Sequence, residues 1–150
     1  MKRGSADGKK EEPSRKIITR ANAGDKQWKW NHYLKHFDES VKDKIIMDEV
    51  ALFSVTPDEN ADEISVHLKS LLPEFASICD ATACVGGNTM SFCKYFRNVT
   101  SIEMDEVRFQ CLRQNVKVAI PNSNVHFVNM NFIDYQGNMP YFDYIFFDPP

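Results

Sequence analysis

The sequence lacks any apolar run near the ~20 residues that a membrane-spanning helix needs, and its first residues lack the apolar core of a signal peptide. Membrane insertion and secretion are therefore not expected. A strong overall charge is also missing, because the formal net charge is −3 over 150 residues. This argues against a chain that coats nucleic acid through its overall charge. With 43% apolar and 12% aromatic residues, the chain can build one continuous core.

Metal-binding patterns are absent as well. The four cysteines, Cys79, Cys84, Cys93 and Cys111, show no C-x-x-C spacing, and the histidines are scattered. We therefore predict no metal site. Four free thiols indicate a reducing, intracellular compartment, in which they serve as small core residues.

The charges are unevenly distributed along the chain. Residues 1–30 hold nine Lys/Arg and four Asp/Glu, a net +5, whereas residues 31–150 hold nine and seventeen, a net −8. We predict a basic, disordered arm over residues 1–25 and a helical N-terminal extension over residues 26–72. The arm either contacts a polyanion or is a solvated leader.

An aromatic and basic segment follows the predicted arm. Trp28, Trp30, Tyr33 and Phe37 alternate with lysines and histidines, including Lys29. Such a segment can stack on bases beside phosphate-binding lysines, or it can form an amphipathic helix whose aromatic side chains pack on the body. Both interpretations are open.

A helix start is predicted at residues 56–59. Thr56 is typical of an N-cap, Pro57 of the first helical position, and Glu59 of the third position in a capping box. Apolar residues then recur at helical spacing until Pro73. The hydroxyls of Ser54 and Thr56, just before the helix, can also line a site.

From residue 73 onward, short apolar runs alternate with helical patterns. The pattern predicts strands over residues 75–79, 99–103, 125–128 and 144–147, and helices over residues 89–96 and 105–118. Such alternation is typical of α/β folds with parallel strands joined by right-handed crossovers. The predicted fold class is therefore α/β, with these strands in one parallel sheet.

The ends of the predicted strands carry polar residues. Asp80 is followed by a loop with two adjacent glycines, which lets the backbone turn tightly and approach a ligand. The loop matches neither G-x-G-x-x-G nor a P-loop, so pyrophosphate binding is disfavoured. Asp80 suits a cationic group such as an amino acid's ammonium. Glu103, twenty-three residues later, can accept both hydroxyls of a ribose, while Asn131 and Phe132 can read and pack on an adenine.

The fourth predicted strand ends in Asp148, Pro149 and Pro150. Two prolines after a buried strand fix the backbone and expose the Asp148 carboxylate and the neighbouring carbonyls. These groups can accept hydrogen bonds from an exocyclic amine and orient its lone pair for attack. The alternative is a simple strand terminator.

Together these residues resemble the trimethylguanosine synthases, the cap guanine-N2 methyltransferases within the class I S-adenosylmethionine-dependent enzymes. The similarity covers roughly residues 28–150. It rests on the Asp80-Ala81 pair, the Val85-Gly86-Gly87-Asn88-Thr89 run and the Ser54-Val55-Thr56-Pro57 segment followed by acidic Asp58.

The resemblance implies a Rossmann-like domain over residues 73–150 that binds S-adenosyl-L-methionine, without a metal. It implies transfer of methyl groups to the N2 amine of the 7-methylguanosine cap on small nuclear or nucleolar RNA, in the nucleus. The implied catalytic residues are Asp148, Pro149 and Pro150, and the implied RNA-binding residues are Trp28, Lys29, Trp30 and Ser54. The implied cofactor-binding residues are Thr56, Asp80, Ala81, Cys84, Gly86, Asn88, Thr89, Glu103, Met104, Asn131 and Phe132.

Three positions depart from the family pattern. Cys84 stands where the family usually has Gly, so a stiffer or displaced loop is expected. Asn131 replaces the usual Asp, a modest change for an adenine contact. Asp148 replaces the usual Ser, which makes this corner similar to the wider Asp/Asn-Pro-Pro group of base-amine methyltransferases. An amine of ribosomal RNA or DNA is therefore an alternative target.

The family also carries more strands than the four predicted here. We expect the remaining strands to come from a C-terminal part after Pro150 or from a partner chain. A non-catalytic cofactor-binding module is the alternative.

Overall fold

The computed structural model describes residues 15–135 and 141–150. Its strands are β1 (Ile18–Thr19), β2 (Ile46–Met47), β3 (Ser77–Asp80), β4 (Asn98–Ile102), β5 (Val125–Val128) and β6 (Tyr144–Phe146). Its α-helices are α1 (Trp28–Tyr33), α2 (Glu39–Lys42), α3 (Ala51–Ser54), α4 (Asp58–Leu71), α5 (Gly87–Tyr95), α6 (Glu106–Ala119) and α7 (Phe132–Tyr135).

The predicted parallel sheet is present, in the order β5-β4-β3-β6. All neighbouring pairs are parallel, with Asp80 opposite Ser101 on β4 and opposite Phe146 on β6. The predicted α/β fold class is thus confirmed. The bounds of β5 agree with the prediction, and those of β3, β4 and β6 differ from it by at most two residues. Because β4 and β5 lie on one side of β3 and β6 on the other, the chain order reverses between β3 and β6.

Helix α5 lies between α4 and α6 and packs on β3 and β4. The core at this face joins Leu68 of α4 and Phe92 of α5 to Ile78 and Val99 of the sheet. The apolar residues of α4 recur at helical spacing, so one face of that helix is buried while Glu59, Glu63 and Lys69 are exposed. This packing fixes the start of α5, and with it the glycine loop that precedes α5.

The N-terminal extension is not purely helical, which corrects the prediction. β1 and β2 pair antiparallel, with Ile18 opposite Met47. The predicted disordered arm contains β1 and a 3-10 helix over Arg20–Asn22, and a second 3-10 helix over Gly24–Lys26 begins within it. Arg15 forms an ion pair with Asp105. The predicted arm extends too far along the chain, because two-residue strands and ion pairs between distant residues have no recognisable local sequence pattern. Its residues 1–14 lie outside the described residues.

The capping box predicted at Thr56 is absent. Helix α4 begins at Asp58, its N-cap is Pro57, and no side chain caps it. The Thr56 hydroxyl instead accepts a hydrogen bond from Asn88, a tertiary partner that outcompetes the local one. The helix ends at Leu71, just before Pro73, as predicted.

Within the described ranges, no helix is long and apolar enough to cross a membrane. The same residues contain no cluster of three or more histidine, cysteine or acidic side chains that could hold a metal ion. Cys79 and Cys111 are fully buried, in keeping with the predicted role as core residues.

Candidate active site

Two neighbouring cavities open at the carboxyl ends of the strands, where the chain order reverses. The larger measures about 190 Å³ and the smaller about 140 Å³. Thr82, Pro149 and Pro150 line both, so the cavities meet at the tips of β3 and β6. Ligands of open parallel sheets bind at such reversal points.

The larger cavity is mostly apolar. The predicted site residues that line it are Ala81, Glu103, Met104, Asn131, Phe132, Pro149 and Pro150. Residues that the sequence did not single out complete its wall: Thr82, Ile102, Arg108, Met130, Ile133 and Phe147. The rings of Phe132 and Phe147 lie 5.8 Å apart between centroids. An apolar slot with a few polar groups suits a purine nucleoside.

Asn131 lies at the start of α7, on the wall of this cavity. Its side-chain oxygen accepts a hydrogen bond from the backbone N–H of Ile133 at 3.0 Å. This bond orients the amide, and the oxygen keeps a second lone pair for an exocyclic amine.

Glu103 is held in place by two backbone groups. One carboxylate oxygen accepts from the N–H of Cys84 and the other from the N–H of Asp105, both at 2.9 Å. The Nε of Arg108 lies 3.6 Å from Glu103, and its Nη1 lies 3.5 Å from Asp48 of the N-terminal extension. Each carboxylate oxygen keeps a free lone pair. Glu103 can therefore accept two further hydrogen bonds side by side.

Arg108 is a site residue that the sequence did not reveal. Burial lowers the pKa of its guanidinium, but the surrounding charges of Glu103, Asp105 and Asp48 outweigh burial and raise it. Within the described part of the chain, its buried Nε has no hydrogen-bond partner. A permanently charged arginine here lets the three acidic groups stay close together.

Asp80 lies deeper than predicted. It is 1% exposed at the end of β3, and its Oδ2 accepts from the hydroxyl of Thr89 at 2.7 Å. Oδ1 is buried without a hydrogen-bond partner among the described residues. Burial raises the pKa of Asp80 to about 7, although the Thr89 hydroxyl acts against it. A ligand cation nearby would favour the charged carboxylate.

Three predicted cofactor-binding residues, Asp80, Gly86 and Thr89, line neither cavity. The Thr89 hydroxyl lies 2.7 Å from both Asp80 and Ser101, and so joins β3 to β4. Gly86 adopts φ +100°, and a Cβ there would lie 3.1 Å from Leu112. The Thr89 hydroxyl and the close packing at Gly86 therefore support the loop from behind.

The second glycine makes a close contact that the sequence did not indicate. A Cβ on Gly87 would lie 2.8 Å from Cγ2 of Val55 and 3.1 Å from the carbonyl oxygen of Thr56. The loop therefore approaches the N-terminal extension here.

Cys84 adopts φ 52°, a left-handed conformation that glycine takes without strain. Burial raises the pKa of its thiol to about 11.

The smaller cavity lies between the N-terminal extension, the loop and the end of β6. Its predicted residues are Ser54, Thr56, Cys84, Asn88, Asp148, Pro149 and Pro150, and the others are Val55, Thr82, Ala83 and Gly87. Asn88 donates to the Thr56 hydroxyl at 3.0 Å, and the Asn88 side-chain oxygen is buried without a partner among the described residues. The Ser54 hydroxyl is already bonded to the carbonyl of Val50.

The corner after β6 places an exposed carboxylate at this cavity. The backbone N–H of Asp148 donates to the hydroxyl oxygen of Thr82 at 2.9 Å. The sequence did not single out Thr82, because a lone threonine in a loop has no signal until the pairing of β3 with β6 is known.

The predicted RNA-binding residues separate into two groups. Trp30 is fully buried and its indole N–H donates to the carbonyl of Ile45, so its prediction as a stacking residue is wrong. Trp28 is 59% exposed. Lys29 is buried and donates to the carbonyl of Leu52, while its ammonium also lies 4.2 Å from the ring centroid of Phe53. Phe53, missed in the sequence, is 73% exposed.

Comparison with known proteins places these observations in a family. Residues 75–150 match the model of a family described as RNA cap guanine-N2 methyltransferase. The trimethylguanosine synthase of Schizosaccharomyces pombe is 33% identical over 130 residues, which cover 81% of this chain and 52% of that protein. An uncharacterized protein of Acanthamoeba polyphaga mimivirus is 30% identical over 135 residues, covering 71% of this chain and 51% of that protein. The chain spans about half the length of these curated relatives.

A solved structure shares the fold. The O-methyltransferase from Bacillus cereus, in complex with SAH, superposes with a TM-score of 0.53 at 20% identity, covering 64% of this chain and 46% of that chain. The predicted Rossmann-like arrangement is therefore confirmed.

Proposed function

The chain belongs to the RNA cap guanine-N2 methyltransferase family, and we propose that it transfers methyl groups from S-adenosyl-L-methionine to the N2 amine of a 7-methylguanosine cap on small nuclear or nucleolar RNA, in the nucleus. One observation carries the proposal. An apolar cavity suited to a nucleoside and a cavity bearing the Asp148 carboxylate meet at Thr82, Pro149 and Pro150. A methyl donor and an amine acceptor can therefore meet at one point.

The residues present fit the cofactor. The larger cavity takes the adenosine, with Glu103 accepting the ribose hydroxyls and Asn131 and Phe132 contacting the adenine. The buried oxygens Asp80 Oδ1 and Asn88 Oδ1 are hydrogen-bond acceptors without donors among the described residues. Buried acceptors left unpaired are unfavourable, and the ammonium group of the cofactor's amino-acid part is a donor that satisfies them. When bound, this cofactor supplies an electrophilic methyl group.

The chain's part in the chemistry is to orient the amine and to stabilise the charge that develops on it. The guanine N2 lone pair is delocalised into the ring, so the amine is a poor nucleophile. The Asp148 carboxylate and the neighbouring carbonyls accept the amine hydrogens and stabilise positive charge as it forms. Pro149 and Pro150 restrict the backbone of this corner. Holding the reacting atoms in contact supplies a large share of the rate.

An exposed aromatic surface beside the smaller cavity is where we place the RNA. Trp28 and Phe53 are exposed, and the ammonium groups of Lys26 and Lys29 lie 5.7 and 4.2 Å from the Phe53 ring centroid. Phe53 directly precedes Ser54, which lines the cavity. Exposed rings stack on bases, and the half-buried Lys26 beside them attracts phosphates, while the buried Lys29 lies against the Phe53 ring.

The test is methyl transfer by the full-length protein to three RNAs of one sequence: with a 7-methylguanosine cap, with an unmethylated guanosine cap, and with no cap. We expect transfer to the 7-methylguanosine-capped RNA, and its loss in Asp148→Ala with unchanged affinity for the cofactor. Transfer to the uncapped RNA would contradict the cap as target. It would favour the alternative target, an amine of an internal base, which the Asp148-Pro149-Pro150 sequence also suits. Cofactor binding without any transfer would indicate a non-catalytic module.

A further inference from the structure

Thr82 lies at the junction of the two cavities, between the glycine loop and the Asp148 corner. Its hydroxyl oxygen accepts a hydrogen bond from the backbone N–H of Asp148 at 2.9 Å. Thr82 follows the last residue of β3 by two positions, and Asp148 follows the last residue of β6 by two positions. This bond therefore joins the tips of the two strands.

We propose that Thr82 is a positioning residue for methyl transfer. Its hydroxyl fixes the backbone of Asp148, so that the carboxylate faces the acceptor amine. This inference rests on the proposed function, because it takes Asp148 as the group that holds the amine.

The register of the sheet shows why a side chain is needed there. Asp80 pairs with Phe146, and the N–H of Ala81 donates to the carbonyl of Phe146 at 2.8 Å. β6 ends at Phe146, and Asp148 lies two residues farther on. Among the described residues, no backbone carbonyl accepts the N–H of Asp148. The Thr82 hydroxyl accepts this N–H in place of a backbone carbonyl of the neighbouring strand.

The bond restrains the peptide plane that leads into the proline corner. A residue before proline is restricted to extended conformations, and Pro149 has a fixed φ. The prolines do not restrict the peptide plane between Phe147 and Asp148, and turning that plane moves the Asp148 carboxylate relative to the cavity. Because the N–H of Asp148 lies in this plane, its hydrogen bond to Thr82 holds the plane in place. Loss of the bond is therefore expected to move the carboxylate while leaving the sheet and the prolines in place.

A merely structural role predicts a different result. Asp148 is exposed and Thr82 half-buried, so the bond between them contributes little to the core. We expect its loss to reduce kcat rather than the melting temperature. Thr82 also lines the cofactor cavity, so affinity for the cofactor must be measured separately.

The experiment compares variants of the full-length protein on 7-methylguanosine-capped RNA. Thr82→Val keeps the shape and removes the hydroxyl, whereas Thr82→Ser keeps the hydroxyl. Thr100→Val is the matched control, because Thr100 is buried in β4 and lines neither cavity. We expect kcat to fall about tenfold in Thr82→Val, in line with the cost of a misplaced reacting group. Thr82→Ser and Thr100→Val should stay near the unaltered protein, and calorimetric Kd for S-adenosylmethionine should be unchanged in all.

An unchanged kcat in Thr82→Val would overturn the inference, as would a Thr82→Ser variant as slow as Thr82→Val, or a loss confined to Kd. If Thr82→Val does not fold, the ratio of kcat between Thr82→Ser and Thr82→Ala decides in the same way. Failure of the proposed function gives a distinct result. The unaltered protein would then methylate no capped RNA, and the assignment of Thr82 would fall with it.

Discussion

The side-chain amide of Asn88 donates a hydrogen bond to the hydroxyl of Thr56 at 3.0 Å, across 32 positions of sequence. This bond ties the N-terminal extension directly to the glycine loop. The extension is therefore a wall of the smaller cavity and not a separate appendage.

The first prediction tests that bond. Thr56→Val removes the acceptor and leaves the Asn88 amide nitrogen unpaired in a half-buried place, which costs about 1–3 kcal/mol. We expect a lower free energy of unfolding and weaker binding of S-adenosylmethionine, measured by denaturant titration and calorimetry. Thr56→Ser keeps the hydroxyl and serves as the control. Equal stability and affinity in Thr56→Val would show that the bond has no role.

Gly87 is the second test of the same contact. In Gly87→Ala the new Cβ would lie 2.8 Å from Val55 Cγ2 and 3.1 Å from the Thr56 carbonyl oxygen, so the extension must move away. Overpacking of this kind costs about 1–3 kcal/mol in unfolding free energy. Val55→Ala removes the shorter clash. The unfolding free energy lost on introducing Gly87→Ala should therefore be smaller in the Val55→Ala background than in the unaltered protein. An equal loss in both backgrounds would mean that the loop and the extension are not in tight contact here.

Cys84 adopts a left-handed backbone conformation with φ 52°. Glycine adopts this conformation without strain, whereas a residue with a Cβ is disfavoured by roughly 1–2 kcal/mol. We expect Cys84→Gly to be more stable than Cys84→Ala by about 1 kcal/mol in chemical denaturation. Both variants lack the thiol, so the comparison isolates the backbone. An alanine variant of equal stability would contradict a left-handed residue at this position.

Asp80 makes the stability of the ligand-free protein depend on pH. Burial raises its pKa in the folded state from 3.8 to about 7, so between these values the folded protein binds more protons than the unfolded chain. The contribution of Asp80 is fully present below pH 4 and is lost as pH rises towards 7, by at most about 1.4 kcal/mol per pH unit. Asp80→Asn does not titrate.

We therefore expect the unfolding free energy of Asp80→Asn to rise relative to the unaltered protein from pH 4 to 7. Above pH 7 the difference should level off, because Asp80 is then ionised in both the folded and the unfolded chain. Denaturant titrations at each pH measure it. A difference that does not change with pH would mean that Asp80 is not protonated in the folded state.

The two tryptophans form a matched pair. Trp30→Ala removes a fully buried side chain and should cost about 3–5 kcal/mol of unfolding free energy. Trp28→Ala should leave stability nearly unchanged but raise KM for capped RNA several-fold, because Trp28 is exposed beside the lysines. Melting curves and steady-state kinetics separate the two effects. Unchanged KM in Trp28→Ala would remove Trp28 from the RNA surface.

Much of the site could be predicted because it follows from strand ends. Asp80, Glu103, Asn131 and Asp148 each follow an apolar run, and parallel strands bring their carboxyl ends to one edge of a sheet. Thr82 and Arg108 could not be predicted in this way. Thr82 bonds to Asp148, which lies 66 residues farther along the chain, and Arg108 contacts Asp48, which lies 60 residues earlier.

The sequence by itself determined the kind and order of the elements from α4 onward apart from the one-turn helix α7, because hydrophobic periodicity, the glycines of the loop and the prolines after β6 act on neighbouring residues. Only the tertiary structure decided that Thr56 bonds to Asn88 instead of capping α4, that Trp30 is buried while Trp28 is exposed, and that Thr82 holds Asp148. In each case a local preference of about 1 kcal/mol competes with packing and hydrogen bonds between distant segments, and those form only when the whole chain is folded.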